Sequence, residues 1–190
     1  MTSILEVEQL DTLSSNAANT ITIGGTNTTT IAFGPNVTTT PSSLANTPAF
    51  KAYLTGSSQS IATDTVTKIQ FNSELYDTNS CYDNSTNYRF TPTVSGKYFL
   101  LAKARLEAAS FTNMELKIIK NGNTSDRVPP NSIWSNLYGT ISFTTQFTSG
   151  VLEANGSTDY FEVYIEHDKG INVDLSASFG PTFEGYRLST

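Results

Sequence analysis

From Pro48 onward, apolar and polar residues alternate with a period of two, which fits strands with one buried face. Within 140–147, Ile141, Phe143 and Phe147 point one way and Thr140, Ser142, Thr144 and Gln146 the other. Phe161, Val163, Ile165 and His167 oppose Tyr160, Glu162, Tyr164 and Glu166. Ile171, Val173, Leu175, Ala177 and Phe179 oppose Asn172, Asp174, Ser176 and Ser178. Asn121-Gly122, Asn155-Gly156 and Lys169-Gly170 separate such runs with residues that tolerate positive φ. The pattern predicts strands near 49–55, 60–71, 88–91, 97–107, 113–120, 138–148, 158–168, 171–179 and 184–188, with no helix after Pro48. Many short strands with regular turns define a sandwich or a barrel.

A second pattern has no secondary-structure period. Phe71 is followed after five residues by Asp77, after four by Tyr82, after seven by Phe90, after five by Gly96 and after one by Tyr98. This spacing resembles the globular head of complement component one-q, whose jelly roll is shared with the tumour necrosis factor superfamily. The interval before Phe90 is one residue longer than in that family, and Leu100 and Ala102 stand where it has aromatics. The resemblance implies an all-β, ten-stranded jelly roll over 48–190 that associates as a homotrimer. Its first and last strands would pair, placing Phe50, Ala52 and Leu54 beside Tyr186 and Leu188. Phe90, Tyr98 and Leu100 are expected inside the sandwich. Phe99 and Leu101, with Tyr160 and Tyr164, are expected to line the threefold contact, because a strand apolar on both faces is covered on both.

Residues 1–47 differ in kind. They hold no Lys or Arg, twelve Thr, and three acids that all precede Leu13. Two β-branched runs, 19–25 and 27–34, each close on Gly, which is strand chemistry followed by a turn. They are similar to the intertwined β stems of fibre proteins in tailed bacteriophages, so the segment is expected to be an arm or stem for docking and assembly. Ile4, Val7, Leu10 and Leu13 fit a short helix about as well as a docking strand.

Charge and composition remove several functions. Eleven basic against 17 acidic residues give a net charge of −6, which disfavours a phosphate-binding surface and hence nucleic acid. No apolar run is long enough to insert in a membrane, and acids stand near the start where a signal peptide would carry Lys or Arg. The single Cys81 has no partner for a disulfide, and a nucleophile would have to share the single His167, which falls on an apolar strand face. Five Asn-x-Ser/Thr patterns, at Asn27, Asn36, Asn84, Asn123 and Asn155, are what a chain this rich in Asn and Thr supplies by chance. No phosphate loop, dinucleotide fingerprint or Cys/His metal spacing occurs, so no catalytic residue is expected.

Two loops keep binding chemistry open. The stretch 77–87 gathers oxygen groups of the kind calcium prefers, with Asp77 and Asp83 as candidate ligands; otherwise no cofactor is expected. The stretch 129–138 carries the single Trp134 with Tyr138, suited to surface recognition or to packing on a neighbouring subunit. The expected function is therefore a virion structural protein of a tailed bacteriophage: a trimeric fibre, spike or capsid decoration, made in the host cytoplasm. Its arm would meet other virion proteins, and its head could bind a host-surface glycan or receptor. The alternative is a secreted, extracellular ligand or carbohydrate-recognition protein, which would need a secretion route and a collagen or coiled-coil stem.

Overall fold

A computed structural model describes residues 47–107, 109–125, 131–142 and 145–188. The arm, with its Gly-closed runs, lies outside these residues except for Thr47. In chain order the elements are β1 (Ala49–Tyr53), β2 (Gln59–Ile61), β3 (Thr67–Lys68), β4 (Ser73–Asp77), β5 (Tyr82–Asp83), β6 (Arg89–Phe90) and β7 (Gly96–Ala104). There follow β8 (Ala109–Lys120), β9 (Ser132–Ser142), β10 (Gln146–Ala154), β11 (Phe161–His167), β12 (Val173–Leu175), a 3-10 turn (Ala177–Phe179) and β13 (Thr182–Arg187). One sheet runs β10-β7-β13-β1-β4 and the other β5-β6-β11-β8-β9, with β3 added to β11 and a small β2–β12 pair beside them. The neighbouring strands pair antiparallel, and the two sheets face each other as a sandwich.

The aromatic spacing is explained by the core. Phe71, Tyr82, Phe90 and Tyr98 are all buried between the sheets. Phe50 binds them together, its ring centroid 4.2 Å from Phe90, 5.3 Å from Tyr82 and 4.9 Å from Phe183. Each such ring removed from water contributes about 1.5–3 kcal/mol. Asp77 is fixed for another reason: its carboxylate accepts the Tyr82 N–H at 2.7 Å and the Asn79 N–H, pinning the turn between β4 and β5. Gly96 opens β7 at φ +147°, a conformation that side chains disfavour. Leu100 and Ala102 point inward and are fully buried, so the aliphatic substitutions keep the same face in a smaller volume.

β1 and β13 pair as expected but one residue out of the expected register: Phe50 lies opposite Gly185 and Ala52 opposite Phe183, while Tyr186 stands opposite Ala49 and is 40% exposed on the outer face. The inward set in 158–168 holds, since Phe161, Val163, Ile165 and His167 are buried at 1% exposure or less, but the opposing Glu162 and Tyr164 are buried as well, so the strand is covered on both faces there. Other boundaries differ. The run 60–71 breaks into β2 and β3, because 62–66 form a turn in which Asp64 adopts positive φ. The run 138–148 divides between the end of β9 in one sheet and the start of β10 in the other, so its alternation spans two strands and not one. Trp134 and Tyr138, assigned to a loop, lie on β9. The run 171–179 ends in the 3-10 turn, capped by the Ser176 hydroxyl accepting from the Ser178 N–H and by Gly180 in the left-handed region.

The register also gives the sandwich two distinct ends. Ala49 with Tyr186, and Gly96 with Ala154, mark the end where the described chain enters and leaves. There the Arg187 N–H donates to the Pro48 carbonyl at 3.1 Å. Tyr53 with Thr182, and Ala104 with Gln146, mark the far end.

Candidate functional site

His167 and Cys81, the residues weighed for nucleophilic chemistry, are both buried and bonded within the fold. His167 is buried against Phe111, its Nδ1 accepting the Lys169 N–H at 3.2 Å while Nε2 donates to the Ile61 carbonyl at 3.1 Å. That pairing uses both ring nitrogens of the neutral imidazole. Cys81 is a buried free thiol beside the Asn79 carbonyl and the Thr93 hydroxyl. Glu162 pairs with Lys68 and accepts from the Tyr164 hydroxyl at 2.7 Å; burial and this carboxylate together push the Tyr164 hydroxyl pKa up.

The calcium candidates are spent on their own turns. Asp83 accepts the N–H groups of Ser85, Thr86 and Asn87 and the Asn87 side chain, and these bonds, led by that of Thr86, hold it below the ordinary carboxylate range. Asp77 is occupied as described. Among the described residues no three His, Cys, Asp or Glu side chains converge as metal ligands.

Two surfaces remain. The first is the outer face of the β10-β7-β13-β1-β4 sheet. Odd-numbered β7 residues face outward, and the register puts Phe99 beside Tyr186 and Val151, and Leu101 beside Glu184. Phe99 and Tyr186 rings lie 5.6 Å apart. Tyr76, Phe99, Leu101, Glu184, Gly185 and Tyr186 line a socket of about 230 Å³ whose rim is tied by a Lys51–Glu184 ion pair at 2.9 Å. Tyr76 reaches this face because the β1–β4 register shifts between Lys51 and Ala52, a bulge that leaves Leu75 68% exposed. Tyr160 and Tyr164 are not part of this surface. Tyr164 lies on β11 in the other sheet, and Tyr160, just before it, lies under the Arg89 guanidinium at 4.3 Å. Tyr76 and Leu75 escape sequence reasoning because a bulge breaks the period of two.

The second surface is β9, an edge strand. Ser132, Trp134, Asn136 and Tyr138 share its outward side, with Trp134 43% and Tyr138 78% exposed. Sequence reasoning singled out both aromatics. It missed the polar residues between them.

This double sheet, with its first and last strands paired at the centre of one layer, is a jelly roll of the complement one-q and tumour necrosis factor type. The globular domain of the zebrafish complement 1qA protein superposes with a TM-score of 0.50 at 22% identity, over 74% of this chain and 97% of that one. Murine APRIL superposes with a TM-score of 0.52 at 14% identity, over 74% of this chain and 98% of that one. At such identities the likeness defines the fold. No family profile matches the chain, and no curated protein matches it in sequence.

Proposed function

We propose that the protein is a virion structural protein of a tailed bacteriophage, a homotrimeric fibre head or capsid decoration that acts by assembly and attachment and not by catalysis. The observation that carries the reading is the outer face of the five-stranded sheet. Tyr76 and Tyr186 are 45% and 40% exposed there, beside Phe99 and Leu101, an apolar concentration that monomers seldom leave in water. A closed ring of copies covers such a face without leaving an open surface for further growth. The arm, without a positive charge, is assigned to docking on other virion proteins. Both ends of the described head emerge together, which supports an orientation with the far end outward.

Light scattering tests the assembly. The expected mass is three chains of 20.6 kDa, and Leu101→Asp is expected to give monomers that keep the β spectrum. A wild-type monomer at micromolar concentration overturns the trimer. Gold labelling of Ile171→Cys, an exposed far-end position in a chain whose own Cys81 is buried, tests the setting by electron microscopy. Gold on the outer surface of native phage particles is expected. Particles without gold, when the variant is the sole source of the protein, overturn the virion assignment.

A further inference from the structure

The free edges of β9 and β10 face each other where the two sheets of the sandwich are open. At one point the gap is closed: the Gln146 amide crosses it and donates from Nε2 to the Ser135 carbonyl at 2.8 Å and to the Ser135 hydroxyl at 3.0 Å. Nearer the end where the chain enters it opens into a cleft of about 320 Å³, lined by Ser132, Ile133, Trp134, Gly150, Val151 and Leu152. Gly150 creates part of this room, since a Cβ there would come within 3.0 Å of the Ile133 side chain.

The lining has a definite chemistry. Ser132 is 2% exposed and its Oγ has no hydrogen-bond partner. A buried hydroxyl left unsatisfied costs about 1–3 kcal/mol, so it favours a ligand that supplies the missing bond. Beside it the Trp134 indole is 43% exposed. No lining residue carries a charge. Two residues along β9, about 6.6 Å away by strand geometry, Asn136 has a buried Oδ1 that is also without a partner. Two further on stands Tyr138.

We propose that this cleft and the β9 row form a binding site for a neutral oligosaccharide. One sugar ring lies with its apolar face on the Trp134 indole and a hydroxyl against Ser132 Oγ; the chain continues past Asn136 Oδ1 toward Tyr138. A sugar ring combines an apolar face with hydroxyls that both donate and accept, the complement of an aromatic platform flanked by orphaned polar atoms. The cleft lining carries no charge, and the Lys117–Glu115 pair opposite Trp134 and Asn136 is buried and internally paired, which disfavours an acidic sugar, a nucleotide or a cation. A peptide strand added to the edge is disfavoured because Gln146 already takes the Ser135 carbonyl that such a strand would pair with. The site rests on the reading of the head as an attachment surface and names what it attaches to.

Trp134 is the single Trp of the chain, so its fluorescence reads the cleft directly. The full-length protein is titrated with neutral oligosaccharides of glucose, galactose, mannose, rhamnose and N-acetylglucosamine. A saturable change in Trp134 emission is expected with at least one of them. Ser132→Ala is expected to weaken that sugar roughly tenfold, with Gly150 and Val151 amide resonances shifting in the wild type. No response to any sugar, an unweakened Ser132→Ala, or emission that changes on protein dilution but not on sugar addition overturns the site. Light scattering on the same samples reads the trimer independently, so the assembly reading stands or falls by a separate result.

Discussion

Phe50 touches Phe90, Tyr82 and Phe183 at once, so its removal leaves a void that no single neighbour can fill. Phe50→Ala is expected to cost about 3–5 kcal/mol, measured as a fall in the urea midpoint without a change of slope. The acids near the β4–β5 turn give opposite pH signatures. Asp83 is held low by the Thr86 N–H and its companions, so it stabilises the fold above the carboxylate range, and that contribution is lost as pH falls. Glu74 is pushed up by burial and then by the charges of Asp77 and Asp83. Its contribution is favourable below its unfolded pKa of about 4.3 and is lost as pH rises. Glu74→Gln is therefore expected to raise the melting temperature at pH 7 and leave it unchanged at pH 3. Asp83→Asn is expected to lower it at pH 7, the difference shrinking on acidification. Thermal melts at the two pH values check both signs.

At the scale of elements, β8 carries an unusual burial. Its inward residues Met114, Leu116 and Ile118 join the core, yet Glu115 and Lys117 on the other side are each 1% exposed and pair at 2.8 Å, with Glu166 at 3.4 Å from the same ammonium. Lys117→Met is expected to destabilise by about 3–5 kcal/mol because it strands buried carboxylate charge. Pairing it with Glu115→Leu is expected to recover part of the loss, and a double-mutant cycle by urea denaturation measures the coupling. Elements like β11, where each alternate residue is fully buried, were legible in the sequence because one face repeats without interruption. The Phe71–Tyr98 spacing was legible because each residue serves either the aromatic core or a turn. What stayed hidden was set by contacts distant in sequence. The bulge that turns Tyr76 outward depends on pairing with Lys51, and the passage from β9 in one sheet to β10 in the other imitates one continuous alternation. Trp134 and Tyr138 were visible as candidates, but the cleft needed β10 to be folded beside them.

For the whole molecule, the outer face of the five-stranded sheet carries exposed apolar residues, and Pro48 and Arg187 lie together at one end of the sandwich. Leu101→Asp places a charge on that face without touching the core, so a monomer that retains the wild-type urea midpoint is the expected outcome; a lost fold would show that Leu101 serves packing within the chain. The shared end also decides how the head carries load. Pulling its two ends apart would peel β13 from β1, breaking the ladder one bond after another. A tug between the entry end and the far end runs along the strands instead. Interstrand bonds, which lie across the strand direction, then resist in shear together, and the head acts as a stiff link under tension.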